Sequence, residues 1–395
     1  MNRTRPLAMV YCQVSFGIGH WMRLASLLEP LRHRFHVVLF MGGRITHDLV
    51  IPEGVEVIQL PGRVRDDDGN YVAVGDGATL AEVSRLRRVQ LIAEARRLQP
   101  DVILIEYFPF GRHESLYELV QLLDEATRRL TPRPLIVCSL RDIQQRARRD
   151  QRSFDIRASE LCNRYFDAVL VHADPQLARF DETFLAAESL RVPVFHTGYV
   201  VPDEPQEDQP ARAPVVLVSA GGGRGGEALL RLAIEAMRVT GLSADFAMRV
   251  IAGTFQSKEV WSSLQRAADG VADLELLRWV PNLRRELLRA QVSVSRCGYN
   301  TALDLVLTRT PALVMPFWLP DEDEQTNRSR RLERLGVVRV LVESGATPER
   351  LADEIRQTAR FQPAAVSLDM TGARRSVEVI ETLLAERRTR PERPA

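Results

Sequence analysis

The sequence predicts an α/β protein built from two doubly wound parallel-sheet domains that face one cleft. Three observations predict it. Short continuous apolar runs alternate with helix-period segments along most of the chain, the pattern of buried parallel strands and their crossover helices. The opening run, Leu7–Val14, leads into the turn Ser15-Phe16-Gly17-Ile18-Gly19-His20 and then into a helical segment, WMRLASLLEPLR. After a stretch rich in proline and acid, the same order of strand, glycine turn and helix restarts at Val215. Ligands of open α/β sheets sit beyond the carboxyl ends of the strands, so both glycine turns are expected to line the same cleft.

The elements follow in order. The first half holds expected strands at 35–40 (FHVVLF), 55–60, 101–106 (DVILIE), 135–140 (LIVCSL) and 168–172 (AVLVH), with a helix over 80–98. A further strand at 191–196 leads to Thr197-Gly198-Tyr199. Residues 201–214, VPDEPQEDQPARAP, have the composition of a linker. Beyond it strands are expected at 215–219, 248–252, 275–277, 292–295 and 312–315, with helices between them, the first over 227–240. The domains are thus 1–200 and 215–380, joined by the linker, with 381–395 (ending RRTRPERPA) as a frayed tail.

The chain of 395 residues fits two or three domains at about 150 residues each. Its 45% apolar and 27% charged composition is that of a globular protein. Lys+Arg is 53 against 52 Asp+Glu, a balance that speaks against a nucleic-acid partner. Lys258 is the single lysine, so Schiff-base chemistry would depend on one residue and is set aside. Cys12, Cys138, Cys162 and Cys297 show no CxxC spacing, which argues for buried thiols in a reducing compartment rather than zinc or redox pairs. His33, His36, His47, His113, His172 and His196 show no metal-ligand spacing either, and no metal is expected. No apolar run approaches the ~18 residues of a spanning helix, and the N-terminus lacks a signal-cleavage pattern. A cytoplasmic protein is expected.

Four constellations can carry chemistry. In GGGRGG, the glycines Gly222 and Gly223 let an anion approach a helix N-terminus, and Arg224 adds a cation suited to phosphate oxygens. A bare tight turn is the plainer alternative; neither Walker A nor GxGxxG fits it. In SRCGYNTALD, Arg296 precedes a turn whose N–H groups from Gly298 through Tyr299, Asn300 and Thr301 form a second anion site. Asp304, one turn further on, could accept bonds from a diol such as a ribose, or be only a first-turn carboxylate favoured by the helix dipole. In DEDEQTN, Glu324 and Gln325 could bind sugar hydroxyls, or start a solvated helix balanced by the arginines that follow. Last, His20 lies just past a glycine turn at a helix N-terminus, which disfavours its charged form and suits a general base; a structural histidine is the alternative.

In their order, SFGIGH, TGYVVP, GGGRGG, SRCGYNTALD and DEDEQTN resemble the motifs of GT-B nucleotide-sugar glycosyltransferases, above all the MurG-like family 28 proteins. PDVILIEYFPFGR, SLRDI and FDAVLVHADPQL are similar to a branch of uncharacterised predicted glycosyltransferases within that family, and the likeness runs over most of 7–336. The resemblance implies two Rossmann-like domains, the first on the acceptor side and the second binding a nucleotide diphosphate sugar. It turns Gly222, Gly223, Arg296 and Gly298 toward the diphosphate, and Glu324 and Gln325 toward sugar hydroxyls. Asp304 stands where the family has a ribose-binding glutamate, one methylene longer. Val280, within Trp279-Val280-Pro281-Asn282, falls at the strand end that meets the base, and His20 at the acceptor-side histidine. The first loop departs from the family's GGTGGH pattern, because Phe16 and Ile18 interrupt it.

The implied activity is an inverting, metal-independent hexosyl transfer from a UDP-linked donor to an unknown hydroxyl or amine acceptor, with no cofactor besides the donor. Two helix N-termini, Arg296 and Arg224 would stabilise the leaving diphosphate in place of Mg²⁺. Three rivals stay open. A nucleotide-sugar 2-epimerase shares the fold but usually carries a DSGG-x-QEE-like turn where this chain has SRCGYNTALD. A non-catalytic nucleotide-sugar-binding protein and a Rossmann oxidoreductase are the others. Peripheral membrane contact through an apolar patch of the first domain also stays open, though no basic amphipathic stretch stands out.

Overall fold

A computed structural model describes residues 5–14, 19–43, 50–65, 70–74, 78–203, 210–221, 225–254, 256–317 and 323–389. The first domain runs β1 (Leu7–Val14), α1 (Gly19–Arg34), β2 (His36–Gly43) and β3 (Glu56–Gln59). A small antiparallel hairpin, β4 (Arg63–Arg65) and β5 (Tyr71–Ala73), precedes α2 (Leu80–Leu98) and β6 (Val102–Glu106). Then come α3 (Leu116–Arg128), β7 (Leu135–Arg141), α4 (Gln151–Tyr165), β8 (Ala168–His172), α5 (Phe180–Thr183) and β9 (Val194–His196). The sheet order is β3-β2-β1-β6-β7-β8-β9, and every pairing is parallel. All eight residues of β1 are buried, as a central strand covered on both faces requires.

The second domain repeats the plan with β10 (Ala213–Ser219), α6 (Glu227–Val239), β11 (Ala247–Ile251), α7 (Lys258–Ala268) and β12 (Leu274–Leu277). It continues through α8 (Leu283–Arg289), β13 (Ala290–Ser295), α9 (Tyr299–Thr308), β14 (Ala312–Val314), α10 (Glu324–Arg334), β15 (Arg339–Val340) and α11 (Pro348–Thr358). Its parallel order is β12-β11-β10-β13-β14-β15. Each sheet reverses its winding once, between β1 and β6 and between β10 and β13. Those are the points where a crevice opens beyond the strand ends.

The last helix, α12 (Gly372–Thr389), corrects the expected domain boundary and tail. It crosses back and lies on the first domain, where Val377, Ile380 and Leu384 share one apolar cluster with Leu24, Leu27, Leu28 and Leu31 of α1. Arg387 and Arg388 near its end pair with Asp167 and Asp101, so 381–389 is docked helix and not a frayed end. A preference for burial tells that a helix has an apolar face, but not which domain will cover it.

At the crossing the backbones nearly touch. Tyr199 N–H donates to Asp369 O at 2.6 Å, and Gly372 N–H donates to Tyr199 O at 3.0 Å. A Cβ on Gly372 would stand 2.2 Å from Gly198 O, and Gly198 itself has φ +83°. Only glycine meets both demands.

Candidate active site

The two winding reversals bring the site together. From the first domain, β1 is followed after residues 15–18 by α1, whose second residue is His20, and the neighbouring strand β6 ends in Glu106. His20 Nδ1 lies 2.6 Å from Glu106 Oε1. An ionised carboxylate only accepts, so Nδ1 carries the proton, and Nε2, which has no hydrogen bond among the described residues, is the free lone pair. Burial pushes the His20 imidazole down to about 3, helped by the charges of Arg141 and Arg112 and opposed by Glu106. The neutral form expected from the helix dipole is thus favoured chiefly by desolvation. Burial alone would raise the Glu106 carboxyl, yet His20, Arg23 and Arg112 hold it well below the usual carboxylate range.

Glu106 is the partner of His20 that the sequence reading passed over. It is separated from His20 by 86 positions, and its signal was an acid closing an otherwise apolar parallel strand, DVILIE. Tyr107, next in the chain, has φ +69° and sets its ring edge-on to His20 at 5.7 Å. Non-glycine residues in that region cost of order 1–3 kcal/mol and persist where surroundings impose them, most often at functional sites.

From the second domain, β13 ends at Ser295 and α9 begins after Gly298 with no side-chain cap, leaving its first N–H groups without that partner. A Cβ at Gly298 would meet no atom of the described residues within 4 Å. Asn300 Nδ2 donates across the domain boundary to Gly19 O at 3.2 Å, setting the N-termini of α9 and α1 side by side. Glu324 and Gln325 begin α10. Gln325 Oε1 accepts from Cys297 N–H (3.2 Å) and Phe317 N–H (3.1 Å), which leaves its Nε2 donors for another acceptor. Glu324 Oε1 accepts from Arg328 at 2.7 Å and stands 3.2 Å from Arg141, the last residue of β7. Its carboxyl is held down to about 2: burial would raise it, and Arg141 and Arg328 lower it.

Other expected donor residues are placed differently. Arg296 is buried, and its Nη groups are spent on Met315 O, Gly225 O and both oxygens of Glu343. The free cation expected there is therefore a neutralised clamp that holds the end of the glycine turn; the residue type announced a cation but not its partner. Tyr299 is buried too, its hydroxyl accepting from Val200 N–H and donating to His172 O of the first domain. That fixes it as a seal between the domains. Asp304 accepts from Arg284 Nε at 3.0 Å. Thr301 lies part-exposed in the first turn of α9, and Val280 packs at the edge of an apolar cluster. Gly222, Gly223 and Arg224, like residues 15–18, lie outside the described residues. Among the described residues no cluster of three or more metal-ligating side chains occurs, and no helix is long and apolar enough to cross a membrane.

Two parallel-sheet α/β domains, each reversing its winding once, define a GT-B protein. Within it, residues 215–381 match the glycosyltransferase family 28 C-terminal domain. An uncharacterised glycosyltransferase of Methanopyrus kandleri is 28% identical over 54% of this chain and 54% of its own length. The Hahella chejuensis UDP-N-acetylglucosamine–N-acetylmuramyl-(pentapeptide) pyrophosphoryl-undecaprenol N-acetylglucosamine transferase is 28% identical over 51% of this chain and 55% of its own. The chain thus spans about half the length of these curated relatives. Among solved structures, Acinetobacter baumannii MurG superposes with a TM-score of 0.56 at 15% identity, covering 95% of this chain and 100% of its own. The calicheamicin glycosyltransferase CalG4 gives a TM-score of 0.60 at 17% identity over 98% of this chain and 100% of its own. A Listeria monocytogenes protein described as a UDP-N-acetylglucosamine 2-epimerase gives 0.61 at 13% identity over 99% of both chains. At such identities these likenesses establish the fold alone.

Proposed function

We propose that this protein transfers a sugar from a nucleotide diphosphate sugar, UDP-linked, to a hydroxyl or amine acceptor, with inversion and without a metal. The observation that carries the reading is the His20–Glu106 pair set against the N-termini of α9 and α10. In this reading Nε2 of His20 takes the acceptor proton while Glu106 fixes the tautomer and stabilises the imidazolium that forms. Gln325 Nε2 and the second oxygen of Glu324 hold sugar hydroxyls. Charge that builds on the leaving diphosphate meets the N–H groups at the starts of α6 and α9, which need no reorganisation at the moment of reaction. Arg296 acts here by shaping the turn, Asp304 by reaching the ribose and Val280 by lining the base. The names of the curated relatives support a UDP-linked donor.

The test is a thermal-shift panel of UDP-, dTDP- and GDP-sugars with the full chain, followed by sugar release in the presence of candidate acceptors. A ligand that binds only the folded state at 100 times its Kd adds about 2.7 kcal/mol, so a UDP-sugar should raise Tm by several degrees. No shift with any nucleotide sugar overturns the reading, and an epimerised sugar formed without acceptor replaces it with the 2-epimerase one.

A further inference from the structure

We propose that Arg23 is a positioning residue for the base: its guanidinium keeps Glu106 ionised beneath His20, so that the imidazole presents Nε2 unprotonated. Arg23 lies one turn after His20 on α1 and is 2% exposed. Its Nη2 donates to Oε1 of Glu106, the same oxygen that takes Nδ1–H of His20. Among the described residues it makes no other hydrogen bond, since Nε and Nη1 are buried without partners, so this cation is committed to one carboxylate. Its outer face is covered by the ring of Tyr299, 5.9 Å from the guanidinium carbon. Tyr299 starts α9 in the second domain, so the pair is shut away from water by the element that presents the expected diphosphate turn.

The chemistry follows from the proton count. A neutral Glu106 would either donate its O–H to Nδ1, leaving the proton on Nε2, or pass the proton to the ring and make an imidazolium. Both forms lack the lone pair that a base needs. A buried carboxylate without a cation rises steeply in pKa. The other groups around the pair are Arg112 and Tyr107 after β6, Cys12 on β1, Cys138 and Arg141 on β7, His172 on β8 and Glu324 on α10. Arg112 is the only further cation paired with Glu106 among the described residues, and it stays 3.7 Å away with no hydrogen bond to it. It cannot replace Arg23.

This role rests on the transfer reading, but the state of the ring can be read without donor or acceptor, so the two fail separately. In the full chain labelled with ¹⁵N-histidine, the wild-type His20 ring should show Nδ1–H and bare Nε2 signals that do not titrate between about pH 8 and 5. In Arg23→Met the pair should take up its proton about three pH units higher, so that the same signals titrate within that window. Unchanged His20 signals in a folded Arg23→Met protein overturn the proposal. Arg23→Lys keeps a cation on the helix and provides the check if the methionine variant does not fold. It should retain the wild-type ring signals, and a titrating ring there also overturns the proposal.

Discussion

His20→Ala should lower kcat by about 10²-fold or more, the range of a positioned base, while changing nucleotide-sugar affinity by no more than a few-fold. Glu106→Gln should act in the same direction, because an amide can accept from Nδ1–H but cannot stabilise an imidazolium. Steady-state kinetics with donor titration separate these effects, and a loss of donor affinity with kcat intact would remove His20 as base. His20 was legible from its position past a glycine turn. Glu106 was not, because a strand-end acid gains its meaning from the helix placed opposite it, and no local pattern records that placement. Arg296 shows the converse limit. Its type and spacing fitted a phosphate, yet Glu343, brought in from beyond β15, occupies its charge.

The element with the largest energetic consequence is α12. Val377, Ile380 and Leu384 are buried against the first domain, and fully burying such side chains is worth about 1.5–3 kcal/mol each. Ending the chain after residue 371 should therefore cost several kcal/mol and lower the first domain's Tm by about 10 °C or more, measured by near-UV circular dichroism on heating. A truncated chain that melts like the intact one would show the helix to be dispensable. The strands were the most legible part of the fold, because β1, β6, β7 and β8 are continuous apolar runs buried on both faces. Helix existence was legible too, as in α2, expected and found over 80–98. The partner surface of α12 was not, since nothing within 372–389 distinguishes one domain's apolar face from the other's.

For the molecule as a whole, the buried ion pairs set how stability depends on pH. His20 and His172 have ordinary values of 6.5, and both are lowered in the fold, with burial as the main cause. Below about 6.5 the unfolded chain binds protons that the folded chain refuses, so stability falls as pH drops, by up to about 1.4 kcal/mol per unit for each group. Glu106 and Glu324 are lowered from 4.5; what they contribute is complete above that value and fades as pH falls through it. Tm should hence be level from about pH 8 to 7 and decline steadily from about 6.5 to 4, and a level Tm across that range would contradict the burial of these histidines. The general plan, two wound sheets meeting at their strand ends, could be read from the chain; the pairs that lock them together, Arg328 with Asp142 and Arg331 with Glu182, could not, because each joins residues far apart in sequence. The crossing at Tyr199 and Gly372 has one more consequence. The polypeptide enters the second lobe and leaves it through adjacent strands of backbone, so in chain order this lobe is a long insertion into the first.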